Sequence, residues 1–139
     1  MVQRDYILRI IEQLGAALVQ MRRAILGGTA RAEDVESTLR RGASAAGMDL
    51  EIARLSPIES LPDMIAPTGE IEPHRCWVLA EMFLTDGIHQ NASGRPESAR
   101  VALAKAASLF KIVGSGAYVA GYPEADERIR EIEGLLAEL

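Results

Sequence analysis

The chain has 139 residues, 48% of them hydrophobic but only 4% aromatic, so we expect one domain with an aliphatic, helical core rather than a β-sandwich. The formal net charge of −5, without any cluster of Lys or Arg, argues against a surface that binds nucleic-acid phosphates. Cys76 is the single cysteine, which excludes an internal disulfide framework and fits a reducing compartment.

The first predicted helix covers residues 5–26 and is amphipathic. Its apolar residues recur at alternating spacings of four and three, and polar residues occupy the opposite face. The apolar stripe contains Ile7, Ile11, Leu14, Leu18, Met21 and Ile25. Arg4, Asp5, Arg9 and Glu12 interrupt the beginning of this segment, so neither a signal-peptide core nor a membrane span is expected. We therefore predict a cytoplasmic protein without a membrane partner.

A second helix is predicted over residues 30–46, and Gly47 ends it. Residues 5–46 would then form a first antiparallel hairpin that turns at Gly28. A short helical connector is expected over residues 56–66, where Ser56 can cap the helix and Pro57 suits its first position. The acidic residues around this connector match no calcium loop and are interpreted as solvated; they are Asp63, Glu70 and Glu72.

Two further helices, from about residue 73 to 91 and from Pro96 to Val113, are joined by the turn sequence NASGRP. A glycine-rich loop is predicted over residues 114–123, and a last helix over residues 124–138 would cap the hairpin of residues 73–113. The chain has no strand-like alternation of useful length. The sequence therefore predicts a single all-α domain over residues 1–139.

Small residues predict a close contact between the fourth and fifth helices. Ala99, Leu103 and Ala106 share one face of the fifth helix, and Gly87 is the matching small residue on the fourth. Glycine inside a helix costs about 1 kcal/mol relative to alanine, so a packing reason is expected for Gly87.

Residues 80–110 resemble one tetratricopeptide repeat, a helix-turn-helix unit of about 34 residues. The matching positions carry the aromatic of the first helix, its small residue, the turn glycine and the pattern of the second helix; they are Phe83, Gly87, Gly94, Ala99, Leu103 and Ala106. Asp86 and Gln90 depart from the usual leucine and tyrosine. The resemblance implies a right-handed stack of antiparallel hairpins with about five or six helices.

The opening QRDYILRIIEQL, together with this late hairpin, is similar to a group of short uncharacterised bacterial proteins. That second resemblance implies a helical fold and no particular activity.

Candidate chemical groups are sparse. His74 and Cys76 lack the further ligands of a zinc site, and the glycine-rich loop lacks both a phosphate-loop motif and a preceding strand. Asp86 and His89 lie three residues apart and are interpreted as a surface pair rather than as a catalytic base with its orienting group. We therefore predict no enzyme activity, no metal and no cofactor.

The leading hypothesis is a non-catalytic module that binds another protein or associates with itself as a homodimer. The predicted interaction surface combines the first helix with the inner face of the fourth; its residues are Ile7, Ile11, Leu14, Leu18, Met21, Glu81, Leu84, Ile88 and Asn91. The first-helix stripe can instead pack inside its own monomer, and the groove on the fourth helix can be filled by the protein's own helices. The alternative function is small-ligand binding in an apolar pocket near Trp77, between the first and fourth helices.

Overall fold

The computed structural model of the chain describes residues 2–66, 69, 72–114 and 124–139. The helices are α1 (Val2–Leu26), α2 (Ala32–Ala45), α3 (Leu50–Leu55), a 3-10 turn (Ile58–Ser60), α4 (Leu61–Met64), α5 (Pro73–Ala92), α6 (Pro96–Gly114) and α7 (Ala125–Ala137). All secondary structure within the described ranges is helical, which confirms the all-α prediction. The predicted loop of residues 114–123 lies almost wholly outside the described part of the chain.

The α1–α2 hairpin turns at Gly28, whose φ of +75° places it in the left-handed region that favours glycine. The backbone N–H of Thr29 donates to the carbonyl of Ala24 at 2.9 Å and closes the end of α1. Ile10 and Leu14 of α1 line the same groove as Ser44 near the end of α2, so the two helices run antiparallel.

The segment between the hairpins differs from the prediction because α3 precedes the expected connector. The Asp49 carboxylate accepts a hydrogen bond from the backbone N–H of Ile52 at 3.2 Å and caps the start of α3. Ser56 does not start the next helix; its hydroxyl donates to the carbonyl of Ile52 at 2.6 Å and closes α3. The expected connector is the 3-10 turn followed by α4, with Pro62 in the first turn of α4.

Helix α5 lies at the centre of the molecule. It packs antiparallel to α6 after a turn at Gly94, where φ is +78°. It runs parallel to α1, and α2 packs against it as well. The rings of Trp77 and Phe110 meet edge to face with centroids 5.1 Å apart near the start of α5. Because α1, α2 and α6 all pack against α5, every residue from Val78 to His89 is buried.

The contact between α5 and α6 forms at the predicted small residues. A Cβ atom built on Gly87 would lie 2.6 Å from both Cγ and Cδ2 of Leu103 and 3.4 Å from its backbone nitrogen. Leu103, Ala99 and Ala106 are themselves buried. Gly87 therefore lets the two backbones approach to a distance that a side chain would prevent.

Replacing Gly87 with alanine is expected to destabilise the protein, although alanine favours helices. Overpacking of this kind costs about 1–3 kcal/mol, which exceeds the helical gain of about 1 kcal/mol over most of that range. Urea unfolding measures the change. The Leu103→Ala background should relieve the clash and reduce the cost of Gly87→Ala in a double-mutant cycle.

Gly134 provides the matched control, because it lies in α7 and, apart from its chain neighbours and the adjacent backbone of α7, no described heavy atom is within 4 Å of the position that a Cβ atom would take there. Gly134→Ala should raise the free energy of unfolding by up to about 1 kcal/mol. Equal increases in the free energy of unfolding for Gly87→Ala and Gly134→Ala would contradict the close contact described for Gly87.

Candidate functional site

Helix α5 carries four polar side chains into the interior, namely Glu81, Thr85, Asp86 and His89. Burying such groups is costly unless each has a hydrogen-bond or charge partner. Among the described residues, no buried side-chain nitrogen or oxygen lacks a hydrogen-bond partner. The partners come from other helices, so the polar groups of α5 connect most of the described elements to it.

Two arginines converge on Glu81. Arg22 of α1 and Arg128 of α7 both donate to Glu81 Oε1, from Nη2 at 3.4 Å and from Nε at 3.1 Å. Arg22 Nη1 also donates to the Thr85 hydroxyl at 3.1 Å. Burial lowers the pKa of the Arg22 guanidinium, and the charge of Glu81 opposes that shift.

A second cluster forms around Arg54 at the end of α3. Its guanidinium donates to both oxygens of Asp86, at 2.8 and 3.2 Å, and to both oxygens of Glu36, at 2.6 and 2.8 Å. The hydrogen bonds from Arg54 lower the pKa of the Glu36 carboxyl. They likewise raise the pKa of Arg54, which remains charged.

The prediction that Asp86 and His89 form a surface pair is wrong. Asp86 is 3% exposed and His89 is 8% exposed, because neighbouring helices cover this side of α5. His89 Nε2 lies 3.8 Å from Glu36 of α2, while Asp86 is held by Arg54 and by the amide of Gln90 at 3.0 Å. The arrangement holds helices together: Asp86 lines a pocket, but its oxygens already accept hydrogen bonds from Arg54 and Gln90.

Lys105 of α6 is buried, and its amine caps the C-terminal end of α3. Its Nζ donates to the carbonyls of Ala53 and Arg54 at 3.2 and 2.8 Å, and it lies 5.3 Å from the ring centroid of Phe83. Burial lowers the pKa of this amine, which the Asp86 carboxylate partly offsets. An adjoining pocket of about 320 Å³ has an apolar wall of Phe83, Val101 and Ala102. On its polar side, Arg54 binds Asp86 and the Lys105 amine binds backbone carbonyls.

A larger pocket, of about 420 Å³, lies between α1, the first half of α5 and the start of α7. This is the position predicted for a pocket near Trp77. Its apolar wall consists of Leu8, Ile11 and Val19 of α1 and the indole of Trp77 on α5. Pockets of this volume with apolar walls are typical of small-molecule sites.

The polar groups of this pocket come from α1, from the first half of α5 and from the start of α7. Glu12 of α1, Glu81 and His74 of α5, and Glu124 and Arg128 at the start of α7 all line it. We refer to this cavity as the Trp77 pocket.

Gly15 lies in the middle of α1 and lines the Trp77 pocket. The residue is buried, yet apart from its chain neighbours and the adjacent backbone of α1, no heavy atom of the described residues lies within 4 Å of the position that its Cβ would take. Gly15 therefore differs from Gly87, since it borders empty space rather than a neighbouring helix.

The predicted interaction surface is open only in part. Its buried members are Ile11, Leu18, Glu81, Leu84 and Ile88; its half-buried members are Leu14 and Met21; and Ile7 and Asn91 are exposed. The burial of these residues agrees with the alternative hypothesis, in which the stripe of the first helix and the groove of the fourth helix pack inside the monomer. The repeat-signature residues Phe83, Gly87, Ala99, Leu103 and Ala106 are buried, and Gly94 forms the turn.

The other candidate groups have structural positions. Cys76 is buried, and its Sγ donates to the carbonyl of Leu109 at 3.4 Å; burial raises the pKa of this thiol to about 12. Glu72 caps α5 by accepting a hydrogen bond from the backbone N–H of Arg75 at 2.8 Å, and Asp63 is exposed in α4. Glu70 lies outside the described residues. Within the described ranges, no group of three or more His, Cys, Asp or Glu side chains could hold a metal ion.

Sequence reasoning missed Glu81 as an interior ion-pair partner and Gly15 as the border of a pocket. The signal for Gly15 was present, because glycine in the middle of an amphipathic helix requires the same explanation that was sought for Gly87.

Comparison with known proteins adds no identification: no protein-family model matches the chain, and no curated protein or solved structure shows significant similarity to it. None of the helices in the described part of the chain has the length and hydropathy needed to span a bilayer.

The Glu36 ion pair should make stability depend on pH in the acidic range. Because the folded-state pKa of Glu36 is lowered from 4.5, its contribution is present above that pH and is lost as the pH falls below it. Arg54, His89 and Arg40 are the charged or titratable groups that act on it. Glu36→Gln should lower the free energy of unfolding by about 0.5–1 kcal/mol at neutral pH, and the gap should close in acid.

Chemical denaturation between neutral pH and pH values below 4.5 measures this gap. Glu133→Gln, at an exposed position of α7, is the control and should differ little from the parent at any pH. If the difference in free energy of unfolding between the parent protein and Glu36→Gln stays constant with pH, the role given to the Arg54 hydrogen bonds is wrong.

Proposed function

We propose that this chain is a non-catalytic helical module that binds a small, largely apolar molecule in the Trp77 pocket. The observation that carries the proposal is the empty space beside Gly15. A glycine in a helix interior lowers stability by about 1 kcal/mol, and no described neighbour requires the absence of a side chain at this position. A bound molecule that occupies the space would supply the missing reason.

The walls of the pocket support the same proposal. Three aliphatic side chains of α1 and one indole offer apolar contact, and the open space beside Gly15 widens the cavity toward the α1 backbone. Apolar cavities bind small molecules chiefly because the ligand leaves water, while a few polar groups fix its orientation.

The lack of a nucleophile supports binding rather than catalysis. No Ser, Thr, Cys or Lys side chain is among the described residues that line the pocket. Glu81 Oε1 already accepts hydrogen bonds from two arginines, so this oxygen is engaged in holding helices together.

The tetratricopeptide-like stack is retained as part of the proposal. The α1–α2 and α5–α6 hairpins, the parallel course of α1 and α5, and the contact of α2 with α5 are the features expected of two successive repeats. Helix α7 would then be the cap, since it packs on α6 and the Arg100 guanidinium donates to the carbonyl of Leu139 at 2.7 Å.

Filling the pocket from Gly15 should abolish binding while leaving the fold intact. Phenylnaphthylamine, a neutral apolar dye, accepts energy from tryptophan, and Trp77 is the only tryptophan. Its binding should quench Trp77 emission in the parent protein. Gly15→Leu should weaken that binding at least about tenfold, because the new side chain occupies the cavity.

Gly134→Leu is the matched control, since it makes the same change in α7 beside open space away from Trp77. Both variants should unfold at a denaturant concentration at least as high as that of the parent protein, because leucine is a better helix former than glycine. Quenching that is equal in Gly15→Leu and Gly134→Leu would place the dye elsewhere and remove the support for a ligand site.

A second function, self-association through α1, is favoured by one further observation. A row on α1 is uncharged and only half-buried; it contains Ile10, Leu14, Ala17, Met21 and Ala24. Gln13 and Gln20 border it, and Tyr6 and Ile7 near its beginning are 63% and 54% exposed. Spacings of three and four residues along this row suit contact with another helix.

Placing a charge in this row should prevent association. If the chain is a homodimer through α1, Ala17→Glu should shift sedimentation toward the monomer, because an unpaired carboxylate would be buried at the contact. Ala104→Glu, at an exposed position of α6, should leave the dimer unchanged. A parent protein that sediments as a monomer at high concentration would exclude this second function and leave the ligand proposal unaffected.

A further inference from the structure

We infer that the ligand of the Trp77 pocket is a cation with an apolar body, such as an arylalkyl amine. This inference rests on the proposed function, because it names the chemical class that the same site would select. It is carried by the charges around the cavity and by the position of Trp77.

Carboxylates outnumber basic groups along the pocket wall. Glu12, Glu81 and Glu124 come from three different parts of the chain, whereas Arg128 is the one arginine among the described lining residues. Glu12 and Glu124 are exposed, so they lie at the entrance rather than at the floor. Their potential favours the entry and retention of a positive group.

The positive charge at the floor is already engaged. Arg128 donates from Nε to Glu81 Oε1 at 3.1 Å, and Arg22 donates to the same oxygen at 3.4 Å. A ligand carboxylate would have to compete with Glu81 for Arg128 while passing between Glu12 and Glu124. At the floor Glu81 balances only one of the two arginine charges, so the preference for a cation comes from Glu12 and Glu124 at the entrance.

The apolar part of the ligand is specified by the opposite wall. Leu8 and Ile11 face the cavity from α1, Gly15 leaves space between them and Val19, and Trp77 provides an aromatic surface. The indole offers a face on which an aromatic group of the ligand can stack, and the carboxylates at the entrance attract its positive end.

Three probes with one phenylbutyl body test the charge separately from the pocket: phenylbutylamine, phenylbutanol and phenylbutyrate. Displacement of phenylnaphthylamine, followed through Trp77 emission, gives their relative affinities. We expect the amine to bind about tenfold more tightly than phenylbutyrate at low salt, with the alcohol between them. The advantage should fall as salt is added, because the entrance carboxylates are exposed to solvent.

Glu12→Gln should reduce the preference for the amine several-fold and leave the affinity for the alcohol unchanged. Glu59→Gln is the matched control, since Glu59 is exposed in the 3-10 turn and makes the same change in net charge. The Glu59 variant should keep the preference of the parent protein.

The outcomes separate the two levels of the proposal. Equal affinity for all three probes, or tighter binding of phenylbutyrate, would overturn the inferred ligand class while the pocket itself stands. Failure of every probe to displace the dye, or displacement that is unaffected by Gly15→Leu, would overturn the ligand site and with it the proposed function.

Discussion

The enclosure of α5 by other helices is the constraint on which the rest of the structure depends. A helix that is covered on every side must find a partner for each polar side chain that it carries inward. Arginines from α1, α3 and α7 supply these partners for Glu81 and Asp86. Because desolvation offsets much of the attraction in a buried ion pair, we infer that these contacts matter more for the relative positions of the helices than for total stability.

The same enclosure explains why two glycines of similar appearance have different consequences. Gly87 packs directly against Leu103 of α6, so this contact leaves no room for a side chain. Gly15 lines the Trp77 pocket between α1 and α5, so its missing side chain adds space to a cavity. Both glycines weaken their helices by about the same amount, and only the surroundings distinguish a close contact from a recess.

The sequence was sufficient to predict the helices and turns whose signals are local. Apolar residues at alternating spacings of three and four mark α1. Proline and glycine delimit α6, and Gly28 and Gly94 occupy the turns. Helix α3 was missed because six residues show too little periodicity. The ion pairs of α5 could not be found in this way, since Glu81 lies 59 residues from Arg22 and 47 from Arg128. The position of the pocket followed from the pairing of two helices, but its boundary at Gly15 depends on which atoms of distant elements surround that residue.

The place of α5 in the chain also bears on synthesis. A ribosome releases α1 and α2 well before α5, so the part of the apolar face of α1 that packs on α5 lacks this partner while the intervening residues are added. At about 5–20 residues per second this interval lasts several seconds. During that time Ile11, Leu18 and Ile25 are available to chaperones or to neighbouring nascent chains. The time for which the α1–α2 hairpin is open to chaperones and to neighbouring chains would therefore depend on the rate of translation.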